Sequence, residues 1–320
     1  MSTHSKAPHE HHYFAQFLAI IVGALTTLQS RVNGELSVVL QSGIQAATVS
    51  FSTGLVLLIL FAFFSPATRQ GFRNLREALK ENRIFWWQCI GGSVGATFVA
   101  IQSVTVPLVG VAIFTIATVG GQIASSLVVD RFGVGPQGRI QPTTNRIIAA
   151  VIAILAVAVS VSNRIEGGDI PLLAVIAAVG VGVGVSFQHS FNGHVNIHAK
   201  SPVTAAVMNF IVGSTLLYIV LGGGIATGHL SFSPLPSSPW YLYLGGLFGL
   251  LFIITAARVI KVLGSLRFAM GSVTGQLVGS LILDVVVPTS GSQISIQLVT
   301  AICLTAFAVI LANSQPTIRH

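Results

Sequence analysis

A chain of 320 residues that is 52% hydrophobic and only 8% charged, with a mean hydropathy of +0.83, carries about a third of the charge of an ordinary soluble domain and is not one. Sixteen Lys and Arg against eight Asp and Glu leave a net charge of +8. That is too few cations to coat a phosphate-binding face, so nucleic acid is not expected as a partner and the excess is assigned to membrane orientation. The two cysteines, Cys89 and Cys303, lie far apart in apolar runs and form neither a disulfide framework nor a zinc spacing.

Residues 1–12 read as a polar N-terminal tail holding His4, His9, His11 and His12, and the apolar run behind it has no small-residue cleavage site, so no cleavable signal is expected. Ten apolar segments follow, each close to the ~20 residues of helix that a ~30 Å hydrocarbon core requires. They are 13–32, 44–64, 85–104, 108–129, 146–162, 170–190, 203–222, 239–257, 268–287 and 293–312. Residues 314–320 form a short C-terminal tail. Runs such as Leu55 to Phe64 are apolar throughout, whereas barrel strands would alternate. The expected class is an all-α integral membrane protein with ten transmembrane helices.

The chain is internally duplicated. Gln29, Asn33, Gly34, Phe51 and Gly54 recur as Gln188, Asn192, Gly193, Phe210 and Gly213, at an offset of 159. Trp86, Gly91, Gly92, Gly95, Gln122, Ser126 and Asp130 recur as Trp240, Gly245, Gly246, Gly249, Gln276, Ser280 and Asp284, at an offset of 154. Collinear Gln, Asn, Asp and Trp matches of this extent are not a chance product of apolar composition. The repeats are 13–164 and 165–313. Each holds five spans, and an odd number of crossings turns the second copy upside down.

Charge agrees with that inversion. With the N-terminus cytoplasmic, the inner segments hold Lys6; Arg69, Arg73, Arg76, Lys80 and Arg83; Arg131, Arg139 and Arg146; Lys200; Arg258, Lys261 and Arg267; and Arg319. Only Arg31 and Arg164 of the sixteen cations fall outside. Residues 65–85 carry five Lys and Arg and their equivalents 223–239 none.

These features, with Gln-x3-Asn-Gly closing the first helix of each copy and Gln-x3-Ser-x3-Asp along the fourth, resemble the drug/metabolite transporter superfamily. Gln29 to Gly54 and Gln122 to Gly133 look like its YdcZ-type branch, in a fused two-copy form covering residues 13–313. The resemblance implies a bacterial inner-membrane carrier with a central cavity between the repeats, working by alternating access. It implies no particular substrate. Small multidrug carriers of the superfamily rely on a carboxylate inside the first helix, and residues 13–30 hold none, so cation/proton antiport of that kind is not expected.

Polar groups cost free energy in hydrocarbon unless paired or wetted, which makes them the informative positions. Gln122, Ser126 and Asp130, and their copies Gln276, Ser280 and Asp284, turn only ~40° per step and share one broad helix face. Each stripe reads either as a polar track into a cavity or as a packing seam whose amides and hydroxyls bond across helices. Gln29, Asn33, Gln188 and Asn192 sit before glycines: the backbone there either unwinds to expose carbonyls or is simply capped. Asp130 and Asp284 are the acidic groups that both copies share, and so the candidates for coupling, with protons a candidate ion.

Arg31 and Glu35 are placed to pair. His189, His194 and His198 cluster, and His194 with His198 has the i, i+4 spacing of a metal pair, but no Cys or carboxylate lies beside them, so no metal site is expected, and no cofactor. Trp86, Trp87, Trp240 and Tyr241 read as interfacial anchors or, less simply, as substrate-stacking groups. Glycines at four-residue spacing, Gly91/Gly95, Gly180/Gly184, Gly245/Gly249 and Gly271/Gly275/Gly279, predict close helix contacts.

No set of residues fits an enzyme. The expected function is a gradient-driven secondary carrier, an exporter of a small metabolite or toxic compound. A non-transporting scaffold and a channel are the alternatives. The partners expected are a small-molecule substrate and the bilayer, with a monomer favoured over a homodimer.

Overall fold

A computed structural model describes residues 7–167, 172–235, 237 and 239–314. Lys6, His4 and Arg319 of the sequence reading lie outside the described residues, as do the side chains of His9, His11, His12, Arg164 and Lys261. Ten helices are described, α1 (Ala7–Leu40), α2 (Gly43–Phe64), α3 (Pro66–Lys80), α4 (Gly91–Val109), α5 (Val111–Phe132), α6 (Thr144–Gly167), α7 (Leu172–Ala199), α8 (Pro202–Ala226), α9 (Gly245–Val286) and α10 (Ile296–Ala312). Short 3-10 turns at Trp86–Cys89 and Trp240–Leu244 lead into α4 and α9. Nine segments are long and apolar enough to cross a membrane, two of them in α9, which kinks at Gly264. The 17-residue α10 adds a tenth, at ~25 Å near the lower limit for a span.

One expectation needs correction, and one helix was not foreseen. Asn33-Gly34 and Asn192-Gly193 do not end or unwind their helices: α1 continues to Leu40 and α7 to Ala199. The true ends are Gln41 and Lys200, equivalent residues with φ near +50°. Behind them the equivalent Ser42 and Ser201 cap α2 and α8, accepting from the amides of Gln45 and Thr204. A left-handed residue followed by a hydroxyl cap stops a helix more firmly than a mid-helix amide whose side chain bonds elsewhere. The unforeseen helix is α3, strongly two-sided and begun by the Ser65 cap and Pro66. Thr68, Gly71, Leu75 and Ala78 are its buried face, against α7 and α8, with Asn74 donating to the Ala199 carbonyl and Thr204 to that of Thr68.

The repeats are intertwined by exchanged contacts. A β-carbon on Gly23 of α1 would strike the Ser272 carbonyl of α9, and one on the equivalent Gly182 of α7 the carbonyl of Thr118 of α5. Gly275 meets the Ile20 carbonyl just as Gly121 meets that of Val179. Gly54 packs under Phe210, Gly213 under Phe51, and these two rings meet at 5.0 Å between centroids. In each of these pairs the contact of residue i with j′ is matched by i′ with j, the signature of a twofold axis running between α2 and α8. Because each repeat has five spans, that axis lies in the membrane plane.

Contacts sort the connecting segments into two ends. At the basic end α3 binds the α7–α8 joint, and His194 reaches the Val134 carbonyl. At the opposite end the Gln45 side chain holds the backbone of Ser233, and Arg31 donates to the Val287 carbonyl.

Candidate functional site

Gln29 and Asn33 on α1 face the start of α9. A β-carbon at Gly245 would collide with Asn33 Oδ1, and one at Gly249 would lie 3.4 Å from Gln29 Nε2. The other copy repeats this: Gly91 lies under Asn192 Oδ1 at 2.9 Å and Gly95 under Gln188 Nε2 at 2.6 Å. The structure thus brings four sequence-selected amides and four sequence-selected glycines into two equivalent clusters, each shared between repeats. One lies toward the opposite end and one toward the basic end.

The two clusters differ in packing. Asn33 is fully buried, its Nδ2 donating to Gln102 Oε1 at 3.2 Å, and Gln102 donates in turn to Ser30 Oγ at 2.5 Å. Ser37 donates to the carbonyls of Gly34 and Ser103. Beside them Asn33 Oδ1 and Ser50 Oγ are buried with no hydrogen-bond partner among the described residues. In the other copy Asn192, Asn196 and Asn209, the equivalents of Asn33, Ser37 and Ser50, line an open surface pocket of about 240 Å³ with Pro202, Ala205 and Ile253. Ala256 stands where the first copy has Gln102, which leaves the Asn192 carboxamide without that neighbour. Asn196, Asn209 and Gln102 were not singled out in the sequence, because only polar residues shared by both copies stood out there. An amide in an otherwise apolar span is the signal that marks them.

The fourth-helix stripes do not form a continuous track with these amides. Ser126 and Ser280 donate to carbonyls of their own helices, of Ile123 at 2.7 Å and Leu277 at 2.9 Å, and Gln276 makes a 3.4 Å contact to Ser272. Gln122 is half-buried, and its carbonyl accepts from Ser186 at 2.9 Å. Among the described residues no hydrogen bond joins a stripe to Gln29, Asn33, Gln188 or Asn192. Close packing surrounds the stripes instead: Gly271 against Ala19, Gly279 against Thr27 at 2.8 Å, and Ser125 bonded to Ser186 at 2.8 Å. Gly184 approaches Val94 at 2.9 Å, whereas Gly180 faces open space and Gly182 makes the tight approach of α7.

The two carboxylates also part company. Asp284 is 3% exposed and accepts from the amides of Val111 (3.0 Å) and Ala112 (2.8 Å) and from the Ser292 hydroxyl (2.8 Å). It caps the first turn of α5, where free N–H groups and the helix dipole favour an anion. Asp130 is ion-paired with Arg146 at the start of α6. Arg31 and Glu35 do pair, at 3.3 Å, with Tyr241 donating to Glu35 at 2.8 Å. His194 and His198 each reach a backbone carbonyl, and no group of three or more metal-ligating side chains assembles among the described residues.

Fold and site together define an all-α membrane protein built of two five-span repeats, with amide clusters shared between them. The family described as "Putative inner membrane exporter, YdcZ" matches the chain twice, over residues 14–159 and 173–311. The chain belongs to that family, of the drug/metabolite transporter type, with one copy in each half. No curated protein matches it.

Proposed function

We propose that the chain is a secondary exporter that moves a small, uncharged, hydrogen-bonding metabolite or toxic compound by alternating access, with the basic end and both termini in the cytoplasm of a bacterial inner membrane. The substrate pathway runs past Asn192, Asn196, Asn209 and Gln188 on the basic side and past Gln29, Asn33 and Ser50 on the other. The observation that carries this reading is the inequality of two equivalent sites: one amide cluster lines an open pocket and its counterpart is packed shut. Rocking one repeat against the other exchanges the two states. The closed site buries Asn33 Oδ1 and Ser50 Oγ unpartnered, at about 1–3 kcal/mol each, a cost that water or substrate removes when that side opens.

The pocket supports the substrate class. Its lining has carboxamide donors and acceptors, apolar walls and no charged side chain. Recognition through hydrogen bonds suits an uncharged polar solute. Binding to one state drives transport only through differential affinity, so the energy comes from a solute or ion gradient.

The test is flux in proteoliposomes of purified protein, screened with labelled neutral polar solutes. Saturable uptake with counterflow is expected, with affinity falling a few-fold to tenfold in Asn192→Ala, as loss of one hydrogen bond of ~0.5–1.5 kcal/mol predicts. Flux that never saturates makes the protein a channel. Absence of flux across the panel overturns the transporter reading in favour of a scaffold.

A further inference from the structure

The buried Asp284 and its pair-mate Asp130 are equivalent in sequence but bonded differently, and the difference falls at the joints between the third and fourth spans of each repeat. Those joints are single glycines of nearly identical backbone, Gly110 (φ 89°, ψ 164°) and Gly264 (φ 79°, ψ 162°). At the opposite end the first joint is fully engaged. Asp284 holds the amides of Val111 and Ala112 and the Ser292 hydroxyl. The Gly291 amide (3.0 Å) and the Ser290 hydroxyl (3.1 Å) both donate to the Pro107 carbonyl, and Thr289 to that of Val106 (3.3 Å). A β-carbon on Gly110 would lie 2.9 Å from Asp284 Oδ2, while one on Gly264 would meet no described atom within 4 Å.

At the basic end Gly264 is exposed, and no described side chain covers the second joint. Asp130, for which the counterparts of Val111 and Ala112 are Ser265 and Leu266, is ion-paired with Arg146. Helix α10 carries no charged residue over Ile296–Ala312, so Asp284 has no comparable cation on the span that follows it.

We propose that Asp284 and Asp130 are alternating gate latches. Each carboxylate, in turn, caps the first free amides of the other repeat's fourth span and closes that end of the pathway. In this structure the Asp284 latch is shut at the end where the Asn33 cluster is sealed, and the Asp130 latch is open at the end where Asn192, Asn196 and Asn209 line the open pocket. The reverse state has Asp284 released and Asp130 moved from Arg146 onto the start of the second half of α9. Arg146 is then the residue that holds the open latch in reserve. Both aspartates are positioning residues: they act through the helix starts they cap and touch no substrate. The inference rests on the alternating-access reading above.

Cysteine accessibility tests it in full-length protein whose Cys89 and Cys303 are replaced by Ser. The reporters are Ser50→Cys on the sealed side and its repeat counterpart Asn209→Cys on the pocket side, each probed with an impermeant maleimide from either face of sealed vesicles. Asp284→Ala is expected to raise Ser50→Cys labelling at least tenfold, since three hydrogen bonds to a charged group are lost, and to lower Asn209→Cys labelling. Arg146→Gln, which frees the other latch, is expected to move both reporters in the same sense while leaving the Asp284 contacts untouched. Asp130→Ala should move them oppositely, and Asp284→Asn, which keeps an acceptor, should fall between wild type and Asp284→Ala. A residue that only stabilises the fold lowers melting without moving the reporters reciprocally. If both reporters respond to a transported solute but neither responds to Asp284→Asn or Arg146→Gln, the latch is wrong and alternating access stands. If the reporters never move reciprocally under any condition, the alternating-access reading itself is wrong, and the latch with it.

Discussion

A glycine in this protein is defined by what fills the space its missing side chain leaves. Gly275 and Gly180 are alike in the sequence, each in a four-residue ladder, yet a β-carbon at Gly275 would strike the backbone carbonyl of Ile20 and one at Gly180 would meet nothing within 4 Å. Backbone cannot yield as a side chain can. Gly275→Leu is therefore expected to destabilise the detergent-solubilised protein by about 1–3 kcal/mol, the range for overpacking, and Gly180→Leu to leave melting unchanged. Thermal unfolding of the pair checks this, and equal shifts would show that the α1–α9 contact is looser than described. The ladder spacing was legible in the sequence. Which rung bears weight was not, because that depends on the partner helix, and on α7 the weight falls on Gly182, outside the ladder.

At the scale of helices, hydropathy located all ten spans and duplication assigned them to two repeats, since both signals are carried within the segments themselves. The helix ends were less legible. Asn33-Gly34 has the composition of a C-terminal stop, but Asn33 spends its side chain on Gln102, and a tertiary hydrogen bond of this kind overrides local preference. Helix α3 escaped notice because its apolar stripe is diluted by Arg69, Arg73, Arg76 and Lys80, so a search for long apolar runs passes over it. The single-residue joints carry a prediction at this scale. Both glycines have positive φ, where a β-carbon costs about 1–2 kcal/mol, but only Gly110 is also crowded by Asp284 and Ser292. Gly110→Ala should lower the melting temperature clearly more than Gly264→Ala. Equal effects would mean that the Asp284 contact gives way freely.

Across the molecule, the exchanged contacts predict topology. Arg76 on α3 and Ser233 occupy equivalent connections of the two repeats, yet one connection is tied to the α7–α8 joint and the other to Gln45 at the α1–α2 joint. Cysteines placed at Arg76 and Ser233 should react with an impermeant thiol reagent from opposite faces of the membrane, Ser233 from outside intact cells. Labelling of both from one face would dismiss the inverted arrangement. The same arrangement is what the duplicated loops of opposite charge predict from the sequence. The sequence did not show that equivalent residues occupy unequal states: Asn33 and Asn192, or Asp130 and Asp284, match in sequence by construction, and only their surroundings separate them.

The exchange has a further consequence, for biogenesis. Helix α1 leaves the ribosome well before the surface that fits Gly23 and Ile20, which belongs to the second half of α9 and is made only after the intervening spans. Chains grow at roughly 5–20 residues per second, so α1 waits in lipid for many seconds with its small-residue groove unfilled. The first repeat cannot finish folding by itself during that interval. Its grooves fit the second copy, and before that copy emerges the nearest surface of the right shape is another nascent chain of the same protein. Assembly quality thus depends on how far apart ribosomes translating this message insert their products, a dependence that a protein whose early helices pack on one another does not have.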